Sequence, residues 1–189
     1  MNTEKMRKTD RRTLYTRMVV KESLLKLLAE KDYGDITVAD ICREAELNRG
    51  TFYLHYNNIL QVVEELFDDA LKNMHSVLAQ IGCTVATDEK CAYPLCRFLR
   101  ENKQYQPLFF SDSLRSHAIE RLAYINREKY IVKLREKTKL SEEVLEAMFY
   151  FQLNGCLAVS KRNIGISDEA WSEIQCGVDR LLKNGFRDL

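Results

Sequence analysis

The stretch that decides the fold is "ITVADICREAELNRGTFYLHY", residues 36–56. Thr37 can cap a helix. Asp40 sits three residues on, where it completes a capping box with Asp in place of the more usual Glu or Gln. Val38, Ile41, Cys42 and Ala45 then share one side of that helix. A four-residue break, Glu46 to Arg49, leads into a second short helix predicted over Gly50 to Tyr56. Two helices this short, joined by so tight a turn, have the size and shape of a helix-turn-helix.

At 100° per residue, Phe52 and Tyr56 are one turn apart and share the face that closes over the preceding helix. Gly50, Thr51 and Leu54 then point away from that core, with Tyr53 and His55 on the flanks and Arg49 at the helix start. A leucine opposite the buried face suits apolar contact with a thymine methyl in a major groove, although single exposed leucines are ordinary on any surface. Glycine at the helix start lets a backbone approach another molecule closely. Thr51, Tyr53 and His55 bring hydroxyl and imidazole groups that can reach phosphates.

On the N-terminal side, residues Thr13 to Lys31 place Leu14, Met18, Leu25 and Leu28 on one helical stripe. On the C-terminal side, Asn57 and Asn58 can cap a long amphipathic helix that runs from Ile59 to Ile81, after which "GCTVATDEK" reads as a loop. Further helices are predicted over Cys91 to Glu101, Ser113 to Lys137, Ser141 to Asn163 and Ser167 to Lys183, with breaks at Pro107, Gly165 and Gly185. Serine followed by acids marks two of these starts, since a hydroxyl caps orphan amides and carboxylates favour the positive end of the helix dipole. "EAMFYFQLNGCLAV", residues 146–159, is apolar nearly all round and should be buried on more than one side, by its own domain and by a second subunit. The chain therefore divides into a small N-terminal head over 1–57, a connecting helix over 58–81 and a larger helical domain over 82–189.

Composition agrees with an all-α protein. Hydrophobic residues make up 46% and charged residues 30% of the 189, and two prolines and seven glycines leave little material for turns. Mean hydropathy is −0.35 and no apolar run is long enough to cross a bilayer, so the expected location is the cytoplasm, with no membrane partner. In that compartment the six cysteines read as reduced thiols. Cys91 and Cys96 form a single loose pair without a matching second pair, so no metal site is expected. Net charge is only +1, but the first 21 residues hold seven basic side chains (Lys5, Arg7, Lys8, Arg11, Arg12, Arg17, Lys21) against Glu4 and Asp10. A basic end of this kind suits a phosphate-facing segment as well as a solvated tail.

Residues Arg12 to Leu66 resemble the DNA-binding domain of the TetR family of bacterial transcriptional regulators. The resemblance lies in the first helix, in "ITVADICREAELNRGTFYLHY" and in the long helix that follows, and "GTFYLHY" is similar to that family's recognition helix. It implies an all-α, TetR-like homodimer whose two heads enter adjacent major grooves of a palindromic operator, usually as a repressor, and whose C-terminal domain dimerises and commonly binds a small-molecule effector. It also implies base or phosphate contacts for Arg49, Gly50, Thr51, Tyr53 and Leu54, a backbone contact for His55 and a phosphate contact for Thr37. Two positions depart from the family pattern. Glu46 stands where the turn usually has glycine, so either a non-glycine residue takes a left-handed conformation or the turn differs, and Ile59 stands where many members have a phosphate-binding lysine.

An enzyme is the contrasting class, but the chain holds no nucleophile motif, phosphate-cradling glycine loop or HExxH, and its three histidines are scattered. No catalytic residue or cofactor is expected. Within the C-terminal domain, Phe98, Phe109, Tyr124 and Phe149 are the candidate lining of an effector pocket, although aromatics at helical spacing are more often core. The alternative is a DNA-binding head governed by a protein partner; a deep mixed cavity would favour a small molecule and a filled core with an exposed apolar patch would favour a protein.

Overall fold

The computed structural model describes residues 3–78, 94–136 and 138–185, and its side-chain detail covers 11–72, 95–136, 138–182 and 184–185. Among the described residues the secondary structure is entirely helical: α1 (Thr3–Glu30), α2 (Val38–Glu44), α3 (Arg49–Tyr53), α4 (Ile59–Leu78), α5 (Pro94–Glu101), α6 (Gln106–Phe110), α7 (Arg115–Arg135), α8 (Glu142–Arg162) and α9 (Asp168–Gly185). The predicted loop over Gly82 to Lys90, with His75's side chain, lies outside what is described. No helix among the described residues is long and apolar enough to cross a membrane.

The chain forms two compact units. The first comprises 1–70 with 104–115, and the second 71–103 with 116–189, so the division falls inside α4 and a short later segment joins the N-terminal head. In the first unit α1 packs against α2 and α6, and α2 against α3. Its core is built from Val20, Leu24 and Leu28 of α1, Ile41 and Cys42 of α2, Phe52 of α3, and Val62, Val63, Leu66 and Phe67 of α4. The Phe67 and Phe109 rings meet edge to face at 5.2 Å.

The buried stripe of α1 differs from the one read in the sequence. Leu14 and Met18 are 61% and 45% exposed, whereas Val20, Ser23, Leu24 and Leu28 are buried. Both sets satisfy helical spacing, so periodicity alone could not choose between them. What decides is which side of α1 meets the covering elements α2 and α6. Pro107 does not break a helix either: it opens α6 at the position where its missing N–H costs nothing.

Two clusters are seen among the described residues of the second unit. Tyr130, Ile131 and Leu134 of α7 pack on Leu145 and Phe149 of α8, with the Tyr130 and Phe149 rings 5.2 Å apart. Cys96 of α5 and Trp171 of α9 close over Cys156 and Val159 of α8 and Ile174 and Val178 of α9. Arg100 lies over the Trp171 ring at 5.3 Å and donates to Asp168 at 2.6 Å. The Ser167 hydroxyl caps α9 by accepting from the Ala170 amide at 3.3 Å. Ser141 makes no such bond at the start of α8, contrary to expectation, and holds Glu143 instead, which lowers that carboxyl from its ordinary value.

Phe52 is fully buried while Tyr53, next to it, is 55% exposed. Phe52→Ala is therefore expected to destabilise the first unit by about 3–5 kcal/mol, as a large core truncation does. Tyr53→Ala should change stability by less than about 0.5 kcal/mol. Denaturant unfolding of the two variants checks the facing of α3, and a reversed order would refute it.

Candidate nucleic-acid interface

The turn between α2 and α3 is set by backbone chemistry. Thr37 caps α2 as a reciprocal capping box: its hydroxyl oxygen accepts from the Asp40 amide at 3.2 Å, and its own amide donates to the Asp40 carboxylate at 3.0 Å. Lys31 donates to the same carboxylate at 2.9 Å. With Lys31 first and Thr37 second, these bonds hold the Asp40 carboxyl far below its usual range. Both donors of Thr37 are thus engaged with Asp40, which gives this residue a capping role in the structure.

After α2, Glu46 adopts φ 52°, the left-handed conformation. Of the two options left open by the missing glycine, the chain takes the strained one: the turn keeps its geometry and a glutamate bears the cost. The Leu47 amide donates back to the Cys42 carbonyl at 2.9 Å, which satisfies a carbonyl at the end of α2. Asn48 then caps α3. Its Oδ1 accepts both the Thr51 amide, at 2.7 Å, and the Thr51 hydroxyl, at 3.0 Å. A Cβ on Gly50 would sit 3.3 Å from that Oδ1, so glycine here makes room for the cap as well as for any close approach from outside.

α3 is shorter than predicted, five residues rather than seven, with Leu54 as its C-cap. The predicted facing holds. Phe52 and Tyr56 are buried, Leu54 is 80% exposed, Arg49, Gly50 and Tyr53 are exposed, and Thr51 and His55 are half-buried. The Tyr53 ring stands edge to face on Phe52, 5.5 Å between centroids. At the start of α4, Asn58 Oδ1 accepts the Gln61 amide at 3.0 Å and the Gln61 side chain accepts the Asn57 amide at 2.7 Å.

Beneath this surface lies a network that the sequence reading did not foresee. The Glu65 carboxylate on α4 accepts from Arg17 at 2.7 Å, from Lys21 at 3.2 Å and from the Tyr56 hydroxyl at 2.7 Å. Lys21 also pairs with Asp69, and the Arg17 guanidinium lies 5.2 Å from the centre of the Tyr56 ring. Arg17 and Lys21 belong by position to the basic N-terminal segment but are committed to α4, which leaves Arg11 and Arg12 as the exposed basic residues of the described part of that segment. A signal existed: Arg17 and Lys21 are four residues apart, as are Glu65 and Asp69, so the two helices carry matched i, i+4 ladders of opposite charge. Burial alone would raise the Glu65 carboxyl, but the bonds from Arg17 and Tyr56 and the charge of Lys21 prevail and bring it down to about 2. For Tyr56, burial and then the bond to Glu65 raise the phenol above its ordinary value, so it stays a donor.

The four candidate pocket residues are not brought together in one unit. Phe109 belongs to the first, packed on Phe67, while Phe98, Tyr124 and Phe149 belong to the second. Phe98 and Phe149 are buried and Phe149 contacts Tyr130, whereas Tyr124 is 89% exposed.

Comparison with known proteins agrees with this geometry. Residues 22–66 match the model of the family described as bacterial regulatory proteins, tetR family. An uncharacterized HTH-type transcriptional regulator, YxbF, of Bacillus subtilis (strain 168) is 41% identical over 64 residues, which are 33% of this chain and 17% of that protein. The chain thus spans under a fifth of that relative's length. Among solved structures, the dihydroxyacetone kinase operon activator DhaS aligns over 93% of this chain and 98% of its own, with a TM-score of 0.51 and 19% identity, a likeness of fold. Residues 22–66 are thus similar to the tetR family's regulatory proteins, and the fold as a whole is all-α among the described residues.

The Glu65 network yields a stability prediction with a definite sign. A carboxyl whose folded value is about 2, against an ordinary 4.5, stabilises the fold fully above pH about 4.5 and loses that contribution as the pH falls towards 2. Glu65→Gln should cost on the order of 1–3 kcal/mol at pH 7. The difference between wild type and variant should then shrink steadily below pH 4.5, as followed by urea unfolding. A difference independent of pH would show that the carboxylate charge is not what matters.

Proposed function

We propose that this protein is a sequence-specific DNA-binding transcriptional regulator, a repressor that binds a palindromic operator as a homodimer and is released by a small-molecule effector. The observation that carries the DNA-binding part is the outward row Arg49, Thr51, Tyr53 and Leu54 on a helix that is capped by Asn48 and seated on Phe52. Gly50 and His55 extend that row, and Thr37 stands at its edge.

Dimerisation is supported by the open sides of α8 and α9. On α8, Val144, Met148, Phe151, Gly155 and Ala158 recur at spacings of four and three, with Phe151 78% exposed. On α9, Gly177 and the exposed Leu181 offer a similar strip. Two such faces can close with a second copy as an antiparallel or crossed four-helix contact, and Gly155, around which a Cβ would meet nothing within 4 Å, would let the helices approach closely. Two copies set the recognition helices about 34–36 Å apart, one turn of DNA, which fixes the half-site spacing of the operator. An effector acts by preferring a state in which α4 is tilted and that spacing is lost, since a ligand with equal affinity for both states shifts nothing.

One observation favours a second reading in which a protein partner is the controlling signal. Tyr124 and Val132 on α7 are exposed apolar side chains on the same helix that packs α8 with its other face.

DNase footprinting of the DNA beside the protein's own gene tests the reading as a whole. A protected pair of half-sites, lost with Tyr53→Ala, is expected. Gly155→Arg leaves the fold intact but should convert the dimer to a monomer in sedimentation and weaken operator binding at least tenfold; a variant that stays dimeric would move the interface elsewhere. Spin labels on the two heads should report a changed separation when an effector releases DNA. An unchanged distance distribution would favour altered flexibility over a lever.

A further inference from the structure

We infer that the exposed face of α3 selects thymine, through the methyl groups that line the major groove, so that each half-site contains a short run of A·T pairs. This rests on the DNA-binding reading above and names what that surface recognises.

The argument is an inventory of what so short a helix can offer. α3 has five residues, so with its C-cap it offers the side chains from Arg49 to Leu54 to base edges. Gly50 contributes none. The Thr51 hydroxyl has its proton committed to Asn48 Oδ1 at 3.0 Å, and the same oxygen holds the Thr51 amide at 2.7 Å. The proton cannot serve both the cap and a base acceptor. What Thr51 retains towards an outside partner is its methyl group and a hydroxyl oxygen that can only accept. Leu54, one turn after Gly50 and three residues after Thr51, is 80% exposed and wholly apolar. Tyr53 presents a ring that is steadied on Phe52.

Guanine in the major groove shows two acceptors and calls for paired N–H donors. On this face the exposed residue with such donors is Arg49, at the edge of the row. The C5 methyl of thymine is the one base-edge group in that groove that rewards an apolar side chain. An exposed leucine alone is ordinary. Here Leu54 and the Thr51 methyl face away from the buried side with the Tyr53 ring on the flank, and the Asn48 cap itself takes the donor option from Thr51.

The test uses the full chain and duplexes enriched from a randomised library. In each enriched half-site, thymines are replaced one at a time by deoxyuridine, which removes only the methyl group. Two or three positions per half-site should each lose about fourfold in affinity, the equivalent of one buried methyl. Leu54→Ala should abolish the penalty at one of them and leave the others. Thr51→Ser, which keeps the cap but drops the methyl, should abolish it at another; Thr51→Val, which keeps the methyl, should retain it. Enriched duplexes indifferent to deoxyuridine at every position, or a Leu54→Ala variant with the wild-type pattern, would overturn this inference and leave DNA binding standing. A library with no enriched duplex would overturn the DNA-binding reading and this inference with it.

Discussion

The first unit is organised around one carboxylate. Glu65 receives Arg17 and Lys21 from α1 and the Tyr56 hydroxyl from just beyond α3, so a single side chain on α4 ties together the helix that supports the head and the segment that ends the recognition surface. A half-buried charge is costly unless it is fully paired, and this one has three donors, of which two are cations. The arrangement adds a polar constraint on the register between α1 and α4 to that of the apolar packing, because a guanidinium and an ammonium four residues apart meet Glu65 and Asp69 together. Any tilt of α4 must carry Tyr56 with it or break the bond between them.

Short helices need help from their ends, and the recognition helix illustrates how much. Five residues cannot offset the cost of nucleation through their own hydrogen bonds. Asn48 supplies the missing acceptor, Gly50 leaves space for it, and Phe52 and Tyr56 hold the underside. The left-handed Glu46 brings Asn48 to that position. Such a conformation costs a non-glycine residue on the order of 1 kcal/mol or more, and the capped and packed helix that follows is what offsets it. The consequence is chemical: the cap at the helix start engages the Thr51 amide and hydroxyl proton, so these are turned inward to Asn48.

In the second unit the aromatic residues serve the core. Phe149 meets Tyr130, and Trp171 is covered by Arg100 and packed with Cys96. Phe151 and Tyr124 instead face outwards, on different helices. Helix α8 thus carries two apolar faces, one that its own unit covers and one that it does not, and its sequence is correspondingly apolar nearly all round.

Much of the head was legible in residues 36–56 because local rules govern it. The Thr37 and Asp40 spacing determined the capping box, and the four-residue spacing of Phe52 and Tyr56 determined which side of the recognition helix is buried. Those are interactions within a turn or two of the chain, where spacing and geometry are equivalent. Tertiary structure decided three things. It chose between two equally periodic stripes on α1, because only contact with α2 and α6 distinguishes Val20 and Leu24 from Leu14 and Met18. It withdrew Arg17 and Lys21 from the basic N-terminal segment, because their partners lie 44 or more positions away on α4. And it distributed the four candidate pocket aromatics over two units, because helical spacing records that a side chain faces something apolar but not which element provides it. The boundary between what was readable and what was not is the reach of one or two helical turns, beyond which partners are fixed by packing that no local pattern encodes.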